Sequence, residues 1–93
     1  MKTPTFTEFS VQALAKGFDE VLERSWDPLT VLHTHTHPFA VEALVLRGEL
    51  WLTTASGTQH LKAGDHFSLE RNVPHEERYG PDGATNWVAR KNR

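Results

Sequence analysis

Three histidines stand at alternate positions, His33, His35 and His37, within VLHTHTHPF at 31–39. Successive side chains of a β-strand point to opposite faces, so residues i, i+2 and i+4 share one. As a strand, 31–37 would present the three imidazoles and Val31 on one side, with Thr34 and Thr36 on the other. Neutral imidazole is the commonest borderline-soft metal ligand, and two at i and i+2 stand close enough to share an ion. A distant partner is available in His75, which follows a turn-rich stretch. Beyond it, strand parity would put Glu77 and Tyr79 on the same face as His75. Glu77 there could take up a proton as a catalytic base; its alternative is a rim carboxylate paired with Arg78, Arg47 or a lysine. The chain has no cysteine, which excludes disulfides, thiolate metal sites and thiol nucleophiles. It also shows no Ser–His–Asp ordering, no phosphate-binding glycine loop and no basic–aromatic stripe.

The elements that must hold these residues read as short strands. TVLHTHTH alternates. VEALVLR and ELWLTT are β-rich and meet at Arg47-Gly48, a plausible tight turn. ASG at 55–57 precedes TQHLK, AGD at 63–65 precedes HFSLE, and RNVP at 71–74 precedes HEERY. GPDG at 80–83 is a strong break before a last strand, TNWVAR. Short strands at about 8–12-residue spacing argue for a β-sandwich or barrel, and the missing helices between them argue against βαβ units. SVQALAKG fits a short helix from about Ser10, stopped by Gly17. FDEVLERSW is ambiguous. Phe18, Val21, Leu22, Ser25 and Trp26 make a helical stripe, slightly the better fit, whereas Phe18, Glu20, Leu22, Arg24 and Trp26 make one strand face.

Ninety-three residues suit one domain, 1–93, of modest stability that pairing with a second copy would raise. The charge balance, 10 basic against 12 acidic residues for a net −2, points away from nucleic acid and anionic membranes. The N-terminus lacks the apolar core of a signal peptide, and no apolar run is long enough to span a bilayer. A cytoplasmic protein is the expectation.

HTHPFAVEALVLRGEL resembles the first motif of the cupins: H-x-H, a few residues, a Glu, about six more and a Gly. His35, His37, Pro38 and Gly48 match, so motif 1 covers about 35–48. LKAGDHFSLERNVPH resembles the second motif through Gly64, Asp65, Pro74 and His75, at about 64–75. The resemblance covers about residues 26–90. It implies an all-β fold, an antiparallel double-stranded β-helix or jelly-roll barrel, here with a short N-terminal helical segment. It also makes FDEVLERSW a strand. Inside such a barrel the motifs would bring His35, His37, Glu42 and His75 onto one divalent metal ion (Mn, Fe, Ni or Zn). Cupins commonly pair, so a homodimer is expected.

The spacing departs from the pattern at the acidic ligand. Only five residues separate Glu42 from Gly48; counting back six lands on Val41. A one-residue slip turns a side chain to the other face. Either a bulge keeps Glu42 inside, or Glu42 faces out and the site is three-histidine. His33 is an addition to the pattern, a donor or substitute ligand on the one hand and a packed or rim residue on the other. His60 and His66 match no ligand position and read as surface residues. Trp51, Phe67 and Leu69 read as core, Trp26 and Trp87 as core or dimer interface. Two functions remain open: a metal-dependent enzyme on a small organic molecule, and a non-catalytic binding module resembling the sensing domains of sugar-responsive regulators.

Overall fold

Thr5 starts the first element. Its hydroxyl accepts from the Glu8 amide at 3.1 Å while the Glu8 carboxylate accepts from the Thr5 amide at 2.8 Å, a reciprocal cap that satisfies two orphan donors. The helix α1 therefore runs Phe6–Ala15, beginning four residues before the expected Ser10. Gly17, with φ +92°, ends it as the sequence suggests. The computed structural model describes residues 4–92. After α1 come six strands: β1 Glu20–Trp26, β2 Val31–His35, β3 Ala40–Thr54, β4 Gly57–Lys62, β5 His66–Leu69 and β6 His75–Lys91. All pairings are antiparallel, in the order β1-β6-β3-β4, with β2 also on β6 and β5 also on β3. No described helix is long and apolar enough to cross a membrane.

The segment with the helical stripe is the strand β1, paired with β6 from Glu20↔Arg90 to Trp26↔Ala84. Its periodicity misleads because Val21 and Trp26, on opposite faces of the strand, are both partly buried. Val21 packs with Phe18 into an outer cluster under α1, where Phe9, Ala13, Leu44, Trp87 and Ala89 are buried, while Trp26 packs on the inner core. That inner core is built from Val41, Ala43, Val45, Leu50, Leu52, Leu61, Phe67, Leu69 and Tyr79.

Two expected breaks turn out to lie inside long strands. β3 passes straight through Arg47-Gly48, so no reverse turn forms there. Instead the β3–β6 register shifts between Val45 and Arg47, a bulge that moves the inward face from odd residues to even ones. On β6, GPDG is an excursion. Gly48 pairs with Ala84 and Leu50 with Tyr79, so four β6 residues stand opposite a single β3 residue. The backbones crowd here: a Cβ on Gly48 (φ +79°) would overlap the Gly83 carbonyl oxygen, and one on Gly83 (φ +69°) the Trp26 carbonyl oxygen.

Candidate metal centre and ligand cavity

β2 departs from simple alternation. Leu32 pairs with Glu77 and His35 with His75, which leaves two β2 residues opposite one β6 residue. This bulge reverses parity. Leu32 and His35 both face the interior, and His33 is exposed. The three-histidine row is therefore not one face. His33 contributes its carbonyl, which accepts from His35 Nδ1 at 2.6 Å. His37 lies just past the strand. It stacks on Phe39, ring centroids 4.8 Å apart, and its carbonyl accepts the Asn72 amide at 2.7 Å. Asn72 adopts φ +64°, a left-handed conformation that asparagine tolerates well, and so ties the loop before β6 to the end of β2.

His35, His37 and His75 each offer a ligand atom, all within 4.8 Å of one another. A carbonyl can only accept, so the bonds from His35 Nδ1 to His33 and from His75 Nδ1 to Val73, 2.9 Å, place a proton on each Nδ1. With Nδ1 so protonated, the neutral form of each ring carries its lone pair on Nε2. His75 is 2% exposed, and its Nε2 is buried with no hydrogen-bond partner. A lone pair left bare in this way is what a metal ligand presents, so the residues fit a divalent ion. Burial, with His35 and His75 beside it, holds the His37 pKa below its ordinary value, which keeps that ring available as a neutral donor.

Glu42 is not among these groups. Val41 lines the cavity, as the six-residue count suggests, and Glu42 points outward, where its carboxylate meets Lys16 at 3.2 Å. The β3 bulge lies beyond Glu42 and cannot turn it in. The carboxylate beside the histidines is Glu77, whose Oε2 is 3.6 Å from His75 Nε2 and 3.9 Å from His35 Nε2. Its Oε1 accepts from the Tyr79 hydroxyl at 2.6 Å. Burial, then the Glu77 carboxylate, pushes the Tyr79 pKa up, so the phenol is a permanent donor that aims the other carboxylate oxygen at the imidazoles.

The cavity above them holds about 120 Å³. Trp26 stacks on Tyr79, centroids 5.2 Å apart, and Arg24 lies over Trp26. Phe67 and Leu69 complete the apolar wall. Trp51 is not in the core: it stacks on His60 outside the barrel, and His60 in turn bonds Glu49 at 2.6 Å. His66 is exposed. Trp87 is buried beneath Phe6 and Phe9, so it is a core residue and not an interface one. Sequence reasoning missed Arg24, Asn86 and Arg90 in the cavity wall. The signal was present as polar residues at even positions on strands whose even face carries Leu22, Trp26 and Val88.

Comparison with known proteins agrees with this fold. Residues 18–91 match the AraC-like ligand binding domain family. A search of the curated proteins found no match. Among solved structures, an RmlC-like cupin from Shewanella frigidimarina superposes with TM-score 0.66 at 20% identity over 78% of this chain. A polyketide cyclase from Streptomyces resistomycificus does so with 0.66 at 22% over 86%, and a cupin-like protein from Thermotoga maritima with 0.62 at 25% over 74%. The chain spans 66%, 60% and 54% of those three chains, under two thirds of each. From a family match that takes in nearly the whole barrel, and a fold common to these structures, the chain belongs to the AraC-like ligand-binding domain family of the cupin superfamily.

Proposed function

We propose that this protein binds a small molecule inside its barrel with the help of one divalent metal ion, held by His35, His37 and His75. The observation that carries this is the buried, unpartnered Nε2 of His75 beside two further imidazoles whose ligand atoms lie within 4.8 Å. A bound ion would supply Lewis-acid chemistry, polarising an oxygen of the ligand; manganese, iron, nickel and zinc all suit such a site. The protein supplies the rest. Trp26, Phe67 and Leu69 exclude water from one side of the ligand. Glu77 Oε2, turned inward by Tyr79, stands where it can accept a proton from a group held against the imidazoles. On that basis we read Glu77 as the catalytic base of a metal-dependent enzyme.

A second reading is favoured by the family match, whose name is that of a ligand-binding domain: the cavity senses its ligand without turning it over. The enzyme reading needs the ion, whereas a sensing cavity can hold its ligand with or without it. Protein purified without added metal should carry Mn, Fe, Ni or Zn at close to one per chain, and the His35→Ala, His75→Ala double variant should carry none. Metal retained by the double variant, or absent from the native protein even after incubation with each ion, would refute the site. Turnover of any compound in a substrate panel with Fe(II) or Mn(II) separates enzyme from sensor. The same reading expects a cytoplasmic homodimer, which sedimentation of the purified protein checks.

A further inference from the structure

Three buried polar atoms of this protein have no hydrogen-bond partner among the described residues: His75 Nε2, Asn86 Oδ1 and Arg90 Nε. All belong to β6, and all three residues line the same cavity. The metal site accounts for the histidine and leaves the other two unexplained. Buried polar groups are nearly always paired, so an isolated acceptor and an isolated donor on one cavity wall point to something that pairs them. Asn86 is 2% exposed. Its neighbour across the β1–β6 ladder is Arg24, so the two side chains leave the sheet together toward the cavity. Arg24 lies 4.7 Å over the Trp26 ring and has no carboxylate partner among the described residues. Arg90 lies over Phe39 and spends one terminal nitrogen on the exposed Glu20 at 3.2 Å, which leaves its Nε inward and free.

The charges in the wall do not balance. Two guanidinium groups face one carboxylate, Glu77, and one oxygen of that carboxylate is taken by Tyr79. A divalent ion on the histidines would raise the positive excess further. Arg24 is half-buried with no carboxylate of its own among the described residues, and Arg90 has only the exposed Glu20; a half-buried cation gains from a counter-charge, and a planar guanidinium matches a carboxylate. We infer that the ligand is a small carboxylic acid: its carboxylate pairs with Arg24 and Arg90, and an adjacent hydroxyl or amino group donates to Asn86 Oδ1. The volume of about 120 Å³ is slightly less than a cavity known to hold benzene, so the acid is compact. A neutral sugar would leave the Arg24 guanidinium without a counter-charge, since Glu20 serves only Arg90. This inference rests on the small-molecule reading above and names the ligand class.

The test uses two- to six-carbon mono- and dicarboxylates, with and without a 2-hydroxyl, each beside its uncharged amide, together with a neutral pentose. They are titrated into metal-loaded and metal-free protein at constant ionic strength and followed by Trp26-sensitive fluorescence and calorimetry. At least one acid should saturate the protein below about 1 mM, with its amide at least about tenfold weaker. Arg24→Gln and Arg90→Gln should each lose at least about tenfold in affinity with metal content unchanged. The inference is overturned if no acid saturates below that concentration, if the amide or the pentose binds as well, or if both variants bind like the native protein. Should a variant fail to fold by circular dichroism, the acid–amide comparison on the native chain decides alone. Arginine-dependent acid binding by a protein that takes up no metal would sink only the metal site; metal uptake without acid preference would sink only this inference.

Discussion

Tyr79 is the chain's single tyrosine, and its hydroxyl bonds the carboxylate of Glu77 that faces the histidines. Substituting Tyr79→Phe keeps the ring stacked on Trp26 and deletes a 2.6 Å bond in a residue only 3% exposed. Hydrogen bonds to a charged partner contribute about 1.5–3 kcal/mol, so the variant should be less stable by that amount near neutral pH. Burial and the Glu77 carboxylate raise the phenol's pKa in the folded protein. An unfolded chain releases that proton at about pH 10, whereas the folded one keeps it. The stabilisation is therefore whole below about pH 10. Above it the advantage of the native chain over Tyr79→Phe should shrink by about 1.4 kcal/mol per pH unit, until the folded phenol ionises in turn. Urea unfolding of both proteins from pH 7 to 11.5 measures the difference, in which other titrating groups cancel. Absorbance at 295 nm reads phenolate from this one residue. Phenolate forming with a midpoint near 10 in the still-folded protein, or a stability difference that does not change with pH, would show that Tyr79 is neither buried nor bonded as described.

Two other changes probe the placement of the site. Glu42→Gln should leave metal content untouched and cost no more than about 1 kcal/mol, the upper range for an exposed ion pair such as the one with Lys16; loss of metal would put Glu42 in the coordination sphere after all. Gly48→Ala should lower stability by at least about 2 kcal/mol, because a left-handed backbone and the Gly83 carbonyl both oppose a Cβ. A melting temperature equal to that of the native protein would mean the two bulges do not meet as described.

The strands from Thr30 on were legible because turn residues punctuate alternating runs: AGD and RNVP fall between strands, and ASG spans the β3–β4 turn into the first residue of β4. Most sites of failure share one cause. Bulges cannot be seen in a residue pattern, since they change which residue faces inward without changing its type. At 31–35 a bulge removes His33 from the site. At 46 and at 80–83 bulges let two strands continue where glycines suggest an end. β1 was hidden by a different effect: polar Glu20 and Arg24 stand on the same face as Leu22 and Trp26, while Val21 on the other face packs under α1, so residue type does not alternate with burial. His35, His37 and His75 were legible from their motifs, and the shortened spacing to Gly48 carried the information that Val41, not Glu42, faces in. The cationic wall was not, because Arg24 and Arg90 lie 66 positions apart in the chain and line one cavity only through the β1–β6 ladder.

The ladder order also governs when this molecule can exist. β1 and β2 both pair with β6 alone, so roughly the first third of the chain has no strand to join until the last segment, 75–91, is available. A nascent chain stalled before His75 would hold β4 and β5 paired to the two halves of β3, with its imidazole pair dangling and the other edge of β3 open. Pairing of such remote segments is slow and leaves apolar edges exposed meanwhile. Arrival of β6 seals the barrel and delivers the third imidazole, Asn86 and Arg90 in one event, so a protein able to capture its ligand is by construction one that has finished folding.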